Sequence, residues 1–226
     1  MKNLCIIPAR GGSKRIPRKN VKEFLGKPII AYSIEAALKS GLFDEVMVST
    51  DDQEIAAIAK QYGASIPFMR SAETANDHAI IADVLEDVLK GYDKLGLHFD
   101  NMCCMLSTAP LVQVETIKEA YESLMRSEYT TALPVVQFSF PIMRSYKMNE
   151  QGGLEFNWPE YATVRSQDIA PAYHDAGMFY WHKIEPWRKN ERKRMGVVVD
   201  EVLVQDIDTE TDWRLAEMKY KLLNNL

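Results

Sequence analysis

The run Leu4-Cys5-Ile6-Ile7 has no polar alternation and stops at Arg10-Gly11-Gly12-Ser13, the pattern of a strand buried on both faces that opens into a glycine loop. This feature restricts the fold. A strand covered on both faces needs helices above and below it, and parallel neighbours reached through crossovers. The residues that follow supply both. Pro28 suits the first turn of a helix, and Ile30, Ile34, Ala37 and Leu38 then form one stripe that ends at Gly41. Residues 45–50 read as a second strand, 53–62 as a helix closed by Gly63, and 64–69 as a third strand. Ile81, Val84, Leu85 and Val88 make another helical face, residues 101–106 an apolar strand, and residues 113–126 a further helix.

The pattern changes between Phe138 and Tyr173. Pro141, Gly152, Gly153, Pro159 and Pro171 interrupt short extended pieces at 143–148 and 154–158, and Gly152-Gly153 reads as a hairpin turn. Residues 138–175 are therefore expected to leave the repeating sheet unit as an excursion, either over the active site or as a dimerisation arm. Strands at 177–181 and 197–204 and a last helix with Trp213, Ala216, Tyr220 and Leu223 on one stripe complete the chain. The expectation is one α/β domain over residues 1–226, a mostly parallel sheet with helices on both faces and a hairpin excursion, with ligands at the carboxyl ends of the strands.

At 226 residues and 46% apolar content, such a core needs no disulfide staples. Cys5, Cys103 and Cys104 are odd in number and lack C-x-x-C spacing, which argues against a disulfide framework or a zinc site and for a reducing, cytoplasmic setting. Cys103 and Cys104 lie in a strand and read as core rather than nucleophile. The opening apolar run is short for a signal peptide, and no stretch is long enough to span a bilayer. A net charge of -5 disfavours nucleic-acid or membrane-surface binding. Within this acidic chain, however, residues 10–27 hold seven basic side chains (Arg10, Lys14, Arg15, Arg18, Lys19, Lys22, Lys27) against one acid, Glu23. An anion is expected to dock there. The basic run at 188–194 reads as a solvated loop.

Two segments carry chemistry. In Ala9-Arg10-Gly11-Gly12-Ser13-Lys14, continuing to Lys19-Asn20, glycines let backbone amides approach phosphate oxygens, Ser13 adds a hydroxyl donor, and Arg10, Lys14 and Lys19 can neutralise a triphosphate. Neither a Walker A loop nor G-x-G-x-x-G is present. Composition alone would also allow a solvated basic turn, but the position after the first strand favours phosphate binding. In Asp206-Ile207-Asp208-Thr209, carboxylates two apart at the end of a strand project on one face and suit a hard cation such as Mg²⁺. Asp208 or Thr209 could instead cap the last helix, with Asp212 completing a capping box.

Ala9 to Asn20 with Gly26-Lys27-Pro28, Ser49-Thr50-Asp51, Arg70 with Asp77, and Asp206-Ile207-Asp208-Thr209 together resemble, in order, the motifs of the acylneuraminate cytidylyltransferases. Those enzymes make CMP-activated nonulosonic acids. The resemblance spans nearly the whole chain and implies a Rossmann-like nucleotidyltransferase fold. It also implies CTP and a nine-carbon acidic keto-sugar as substrates. It assigns Ala9, Arg10, Gly11, Gly12, Ser13, Lys14, Lys19, Asn20, Arg70 and Asp77 to the nucleotide, Asp206 and Asp208 to Mg²⁺, and Arg10, Lys19 and Asp208 to catalysis. Residues 163–168 and 173–177 are most similar to the branch that activates pseudaminic acid, and imply Arg165, Gln167, Tyr173 and His174 as sugar contacts on an arm that crosses to a second subunit of a homodimer. Leu106-Ser107-Thr108-Ala109-Pro110 and Asp175-Ala176-Gly177 depart from the sialic acid enzymes where the sugar should bind. Alternatives are another acidic keto-sugar (legionaminic acid, N-acetylneuraminic acid or 3-deoxy-manno-octulosonic acid) or a nucleotide-binding regulator that has lost catalysis; the intact acidic pair argues against the regulator.

Overall fold

A computed structural model describes residues 1–76 and 79–226. In chain order the elements are β1 (Asn3–Pro8), β2 (Glu23–Phe24), β3 (Lys27–Pro28), α1 (Ile29–Ser40), β4 (Glu45–Ser49), α2 (Gln53–Gln61), α3 (Ile81–Lys94), β5 (Asn101–Met105), α4 (Val114–Met125) and β6 (Thr131–Gln137). There follow β7 (Tyr146–Met148), β8 (Leu154–Phe156), β9 (Tyr173–Asp175), β10 (Phe179–Lys183), α5 (Ile184–Arg188), β11 (Arg194–Val198) and α6 (Glu210–Asn224). The main sheet has the order β11-β6-β10-β5-β1-β4, with β9 also on β6. β1, β4, β5, β6 and β11 run one way, while β9 and β10 run against them. The mostly parallel α/β sheet expected from the sequence is what forms.

Alternation along β1 divides the core. Cys5 and Ile7 pack with Ile30, Ile34 and Ala37 of α1, Ile55 and Ala59 of α2, and Ile117, Ala120 and Leu124 of α4. Leu4 and Ile6 face the other way, onto Leu85, Val88, Leu89 and Tyr92 of α3 and onto Ile184 and Trp187 of α5. Successive strand residues point to opposite faces, so four consecutive apolar residues are needed to feed two cores. All three cysteines are fully buried, and burial lifts the Cys104 thiol to about 12, which leaves it protonated and inert as a nucleophile.

Two strand expectations fail, and one strand, β6, forms where none was expected. Residues 64–69 form only a single bridge from Ser65 to Met47, because Pro67 has no amide to donate to a ladder. β6 lacks a sequence signal because Pro134 sits within it. Its missing donor falls where β10 stops pairing at Ala132 and β9 takes over at Val135, and the Ala176 amide donates back to the Pro134 carbonyl across that break. The expected strand at 197–204 is instead β11, ending at Val198, followed by a 3-10 turn at Glu201–Leu203. Arg194 belongs to β11 and Arg188 pairs with Asp93, so only the residues between them form the exposed connection. The expected hairpin around Gly152-Gly153 is present as β7 and β8, inside a segment whose ends meet where the Phe138 amide donates to the Ala172 carbonyl.

A third apolar cluster joins the two ends of the chain. Ile16 of the glycine loop, Phe24, Ile29 and Tyr32 pack with Ile207, Trp213 and Ala216. Phe24 meets Tyr32, Trp213 and Tyr220 edge to face. Ile207 is wholly buried here and supplies the packing that fixes the segment between β11 and α6. Ile207→Ala is expected to cost about 2–5 kcal/mol and Ile207→Val about 0.5–1.5 kcal/mol in denaturant unfolding; near-equal midpoints for both variants would contradict this anchoring role.

Candidate active site

The loop after β1 is held from below by main-chain bonds. The Ala9 amide donates to the Ser49 carbonyl at 2.9 Å, and the Gly11 amide to the Asp51 carboxylate at 3.0 Å. Those two amides are thus engaged within the protein and are not the ones that can turn toward a phosphate. Gly11 is required for another reason: a Cβ there would lie 2.7 Å from the Asp52 carboxylate, whereas a Cβ on Gly12 meets nothing within 4 Å. Buried Asn20 donates to the Arg10 carbonyl at 2.9 Å and accepts from the Ser107 hydroxyl at 2.8 Å, so it couples the loop to the end of β5. Arg70 donates to the Ser49 carbonyl at 2.6 Å and to its hydroxyl at 3.1 Å. Burial pulls the Arg70 guanidinium below its usual value, and Asp51 opposes that shift.

The seven basic residues separate into two groups. Arg18 bonds Asp52 and Glu54, Lys22 bonds Glu210 at 2.7 Å and Lys27 bonds Glu35 at 2.8 Å; these three tie elements together. Arg10, Lys14, Arg15 and Lys19 line a cleft of about 590 Å³, with Ser13, Asn20, Arg70, Ser107, Thr108 and Asp206. The sequence cannot show this division, because the neutralising acids come from distant segments.

Asp206, Ile207 and Asp208 lie in irregular chain and not at the end of a strand. Their alternation survives all the same, since the buried Ile207 leaves Asp206 and Asp208 outside the core. Asp208 accepts from Arg15 at 2.7 Å and lies 3.6 Å from the Lys19 ammonium. Lys19 also donates to the Ile207 carbonyl at 2.6 Å. The cap of α6 is Thr209, in a reciprocal box with Asp212, so Asp208 is not consumed as a helix cap.

A second cleft of about 510 Å³ is lined by Val136, His174, Asp175, Tyr180, Glu201, Gln205 and Lys219, and shares Leu106 and Asp206 with the first. His174 thus joins Asp206, while Arg165, Gln167 and Tyr173 are exposed and line neither cleft of this chain. Asp77 lies outside the described residues. Sequence reasoning missed Tyr180 and Lys219 as site residues, placed Arg15 only within the basic cluster, and named Ser107 only within the segment expected near the sugar. Ser107 was discoverable as the loop after a buried strand; Tyr180 and Lys219 stand alone on a strand and a helix and give no local signal.

The sequence profile of the cytidylyltransferase family matches residues 4–197. The chain belongs to that family and is a CTP-dependent nucleotidyltransferase. The pseudaminic acid cytidylyltransferase of Campylobacter jejuni subsp. jejuni serotype O:2 is 42% identical over 226 residues, covering 98% of this chain and 97% of its own length. The CMP-N,N'-diacetyllegionaminic acid synthase of Legionella pneumophila subsp. pneumophila is 43% identical over 122 residues, 54% of this chain and 53% of that one. A solved structure of CMP:2-keto-3-deoxy-manno-octonic acid synthetase complexed with CTP superposes over 100% of both chains with a TM-score of 0.68 at 18% identity, a likeness of fold.

The Arg18 contact generates a pH prediction. Hydrogen bonding to Arg18 holds the Asp52 carboxyl down at about 2 against an ordinary 3.8. A depressed carboxyl contributes stability that is complete above its unfolded value and is lost as pH falls through its folded one. The contribution therefore disappears between pH 3.8 and about 2. Arg18→Met is expected to lower stability by about 0.5–1.5 kcal/mol at neutral pH, since the pair is partly solvated, and to flatten this acid limb in denaturant titrations. An unchanged acid limb in the variant would show that Arg18 is not the cause.

Proposed function

We propose that the protein transfers CMP from CTP to the anomeric hydroxyl of a nonulosonic acid, pseudaminic acid being the acceptor, with release of pyrophosphate. The observation that carries this reading is the pair of clefts that meet at Asp206, one lined by Arg10, Lys14, Arg15 and Lys19 and the other by His174 and Tyr180. The near full-length likeness to the Campylobacter jejuni protein supports the choice of sugar. The acceptor oxygen forms a bond to the α-phosphorus and gives up its hydroxyl proton to solvent, the bond from that phosphorus to the bridging oxygen breaks, and pyrophosphate leaves with the electron pair. Catalysis of such a step is positioning and charge stabilisation.

Arg10, Lys14 and Lys19 hold the triphosphate, Ser13 donates its hydroxyl to it, and open space beside Gly12 leaves room for close approach. Asn20 and Arg70, both fixed by bonds to main-chain carbonyls, orient the nucleotide. Cytidylyltransferases of this kind generally use a divalent metal. Two carboxylates with the remaining positions left to phosphate and water suit Mg²⁺, and Asp206 and Asp208 are the donors; Arg15, exposed and on a loop, would have to release Asp208. A divalent metal held there would polarise the α-phosphoryl group and lower the pKa of the attacking hydroxyl.

The protein is read as a cytoplasmic homodimer. Phe140, Tyr146, Met148 and Leu154 of the 138–175 excursion are exposed apolar side chains, the kind of surface a second copy covers. Such an arm would carry Arg165, Gln167 and Tyr173 to the partner's sugar, with Arg165 shaped for bidentate capture of a carboxylate. Among the described residues no helix is long and apolar enough to cross a membrane.

Pyrophosphate release with CTP, measured across pseudaminic, legionaminic, N-acetylneuraminic and 3-deoxy-manno-octulosonic acids, tests the reaction and the acceptor. The highest kcat/KM is expected with pseudaminic acid; a preference for another acid would move the acceptor, and no release with any would remove the reaction. Asp208→Asn and Asp206→Asn are expected to reduce kcat far more than CTP affinity, and near-wild-type turnover in both would overturn the metal assignment. Arg165→Ala is expected to raise the KM for the sugar about ten- to a hundredfold at unchanged KM for CTP. Mixing Arg165→Ala with Asp208→Asn subunits should restore part of the activity if the arm crosses; no recovery in verified mixed dimers would confine Arg165 to its own subunit.

A further inference from the structure

The second cleft is acidic, yet its expected occupant is an anion. Asp175, Glu201 and Asp206 line it, and a nonulosonic acid carries a carboxylate beside the reacting carbon. Such a group needs a cation or several donors to replace its water. Lys219 is the only lysine or arginine among the described residues that line the cleft. His174, also on the lining, has its Nδ1 2.9 Å from the Asp175 carbonyl. An Nδ1–H donating to that carbonyl would leave the other ring nitrogen of a neutral imidazole as an acceptor.

Lys219 has an unusual setting for a lysine on a helix. It lies half-buried on α6, and its ammonium donates to the Val204 carbonyl at 2.6 Å and to the Glu201 carbonyl at 3.2 Å. Both acceptors belong to the turn that leads into Asp206, and neither is a carboxylate. An ammonium has three donors. Two are spent on carbonyls that fix its position, which leaves one donor on a cation whose hydrogen bonds go to no carboxylate among the described residues. The last helix therefore supplies a pre-placed cation next to the residue where the two clefts meet.

We propose that Lys219 receives the carboxylate of the acidic sugar from within the same subunit and so selects for keto-sugar acids over neutral sugars. The inference rests on the cytidylyltransferase reading of the second cleft and adds a specificity residue to it. It is independent of whether the 138–175 arm reaches a second copy: Arg165 lines neither cleft of its own chain, whereas Lys219 is in place without a partner.

The test is a cycle between protein and substrate, with the full-length enzyme, CTP and either pseudaminic acid or its methyl ester. Lys219→Met is expected to raise the KM for the acid about tenfold or more, with the KM for CTP unchanged, and to act on the ester no differently from wild type. Lys219→Arg should recover most of the affinity for the acid. Losing the bonds to Val204 and Glu201 would instead displace Asp206 and lower kcat equally for acid and ester. Equal effects on the two substrates, or a parallel rise in the KM for CTP, overturn the proposal. Should Lys219→Met fail to fold by its melting curve, Lys219→Gln keeps a donor for the Val204 carbonyl and is read the same way. Absence of turnover by wild type with any keto-sugar acid would overturn the underlying reading, an outcome seen before any variant is made.

Discussion

The hydrogen bond from the Lys19 ammonium to the Ile207 carbonyl joins residues 188 positions apart and sets the geometry on which the site depends. Main-chain carbonyls are fixed acceptors, so a bond to one locates the lysine more tightly than an exposed ion pair would. Ile207 is at the same time buried against Ile16, which lies in the glycine loop three residues before Lys19. One residue thus locks the phosphate loop to the acidic segment through its backbone and its side chain. Asp206 and Asp208, its neighbours, are left at the cleft wall and beside Lys19 respectively.

A second shared acceptor works at the other edge. The Ser49 carbonyl takes hydrogen bonds from the Ala9 amide and from Arg70, using both of its lone pairs. The start of the glycine loop and the Arg70 guanidinium at the wall of the first cleft are thereby referred to one atom at the end of β4. Asn20 does the same between the loop and β5 through Arg10 and Ser107. Positioning in this site passes largely through backbone oxygens at strand ends, the most rigid points that an α/β sheet offers a ligand.

The sheet was legible from sequence where burial on both faces erased polar alternation, as in β1, β4 and β5, and where glycines closed helices, as at Gly41. It was illegible where proline intervened with opposite outcomes. Pro67 prevents a ladder at 64–69, while Pro134 is accommodated in β6 because the partner changes there from β10 to β9. No local rule separates the two; the partner decides. For the site, the glycine loop and the acidic pair could be read because several chemical residues fall together in the chain. Tyr180 and Lys219 could not, since their meaning comes from what folding brings beside them. The basic cluster was over-read for the same reason, as its partners Asp52, Glu54, Glu210 and Glu35 all lie outside it in sequence.

The closed neck of the 138–175 segment has an evolutionary consequence. Its chain leaves β6 and returns to β9 at positions already hydrogen-bonded to each other, Phe138 to Ala172, and these two strands pair in register from Val135 to Gln137. Insertions or deletions beyond that neck need not shift any residue of the main sheet, and the entropic cost of a longer loop grows only slowly with its length. The catalytic frame and the peripheral hairpin can therefore diverge at different rates, so that lineages sharing one nucleotide chemistry can exchange or resize this appendage without rebuilding the core.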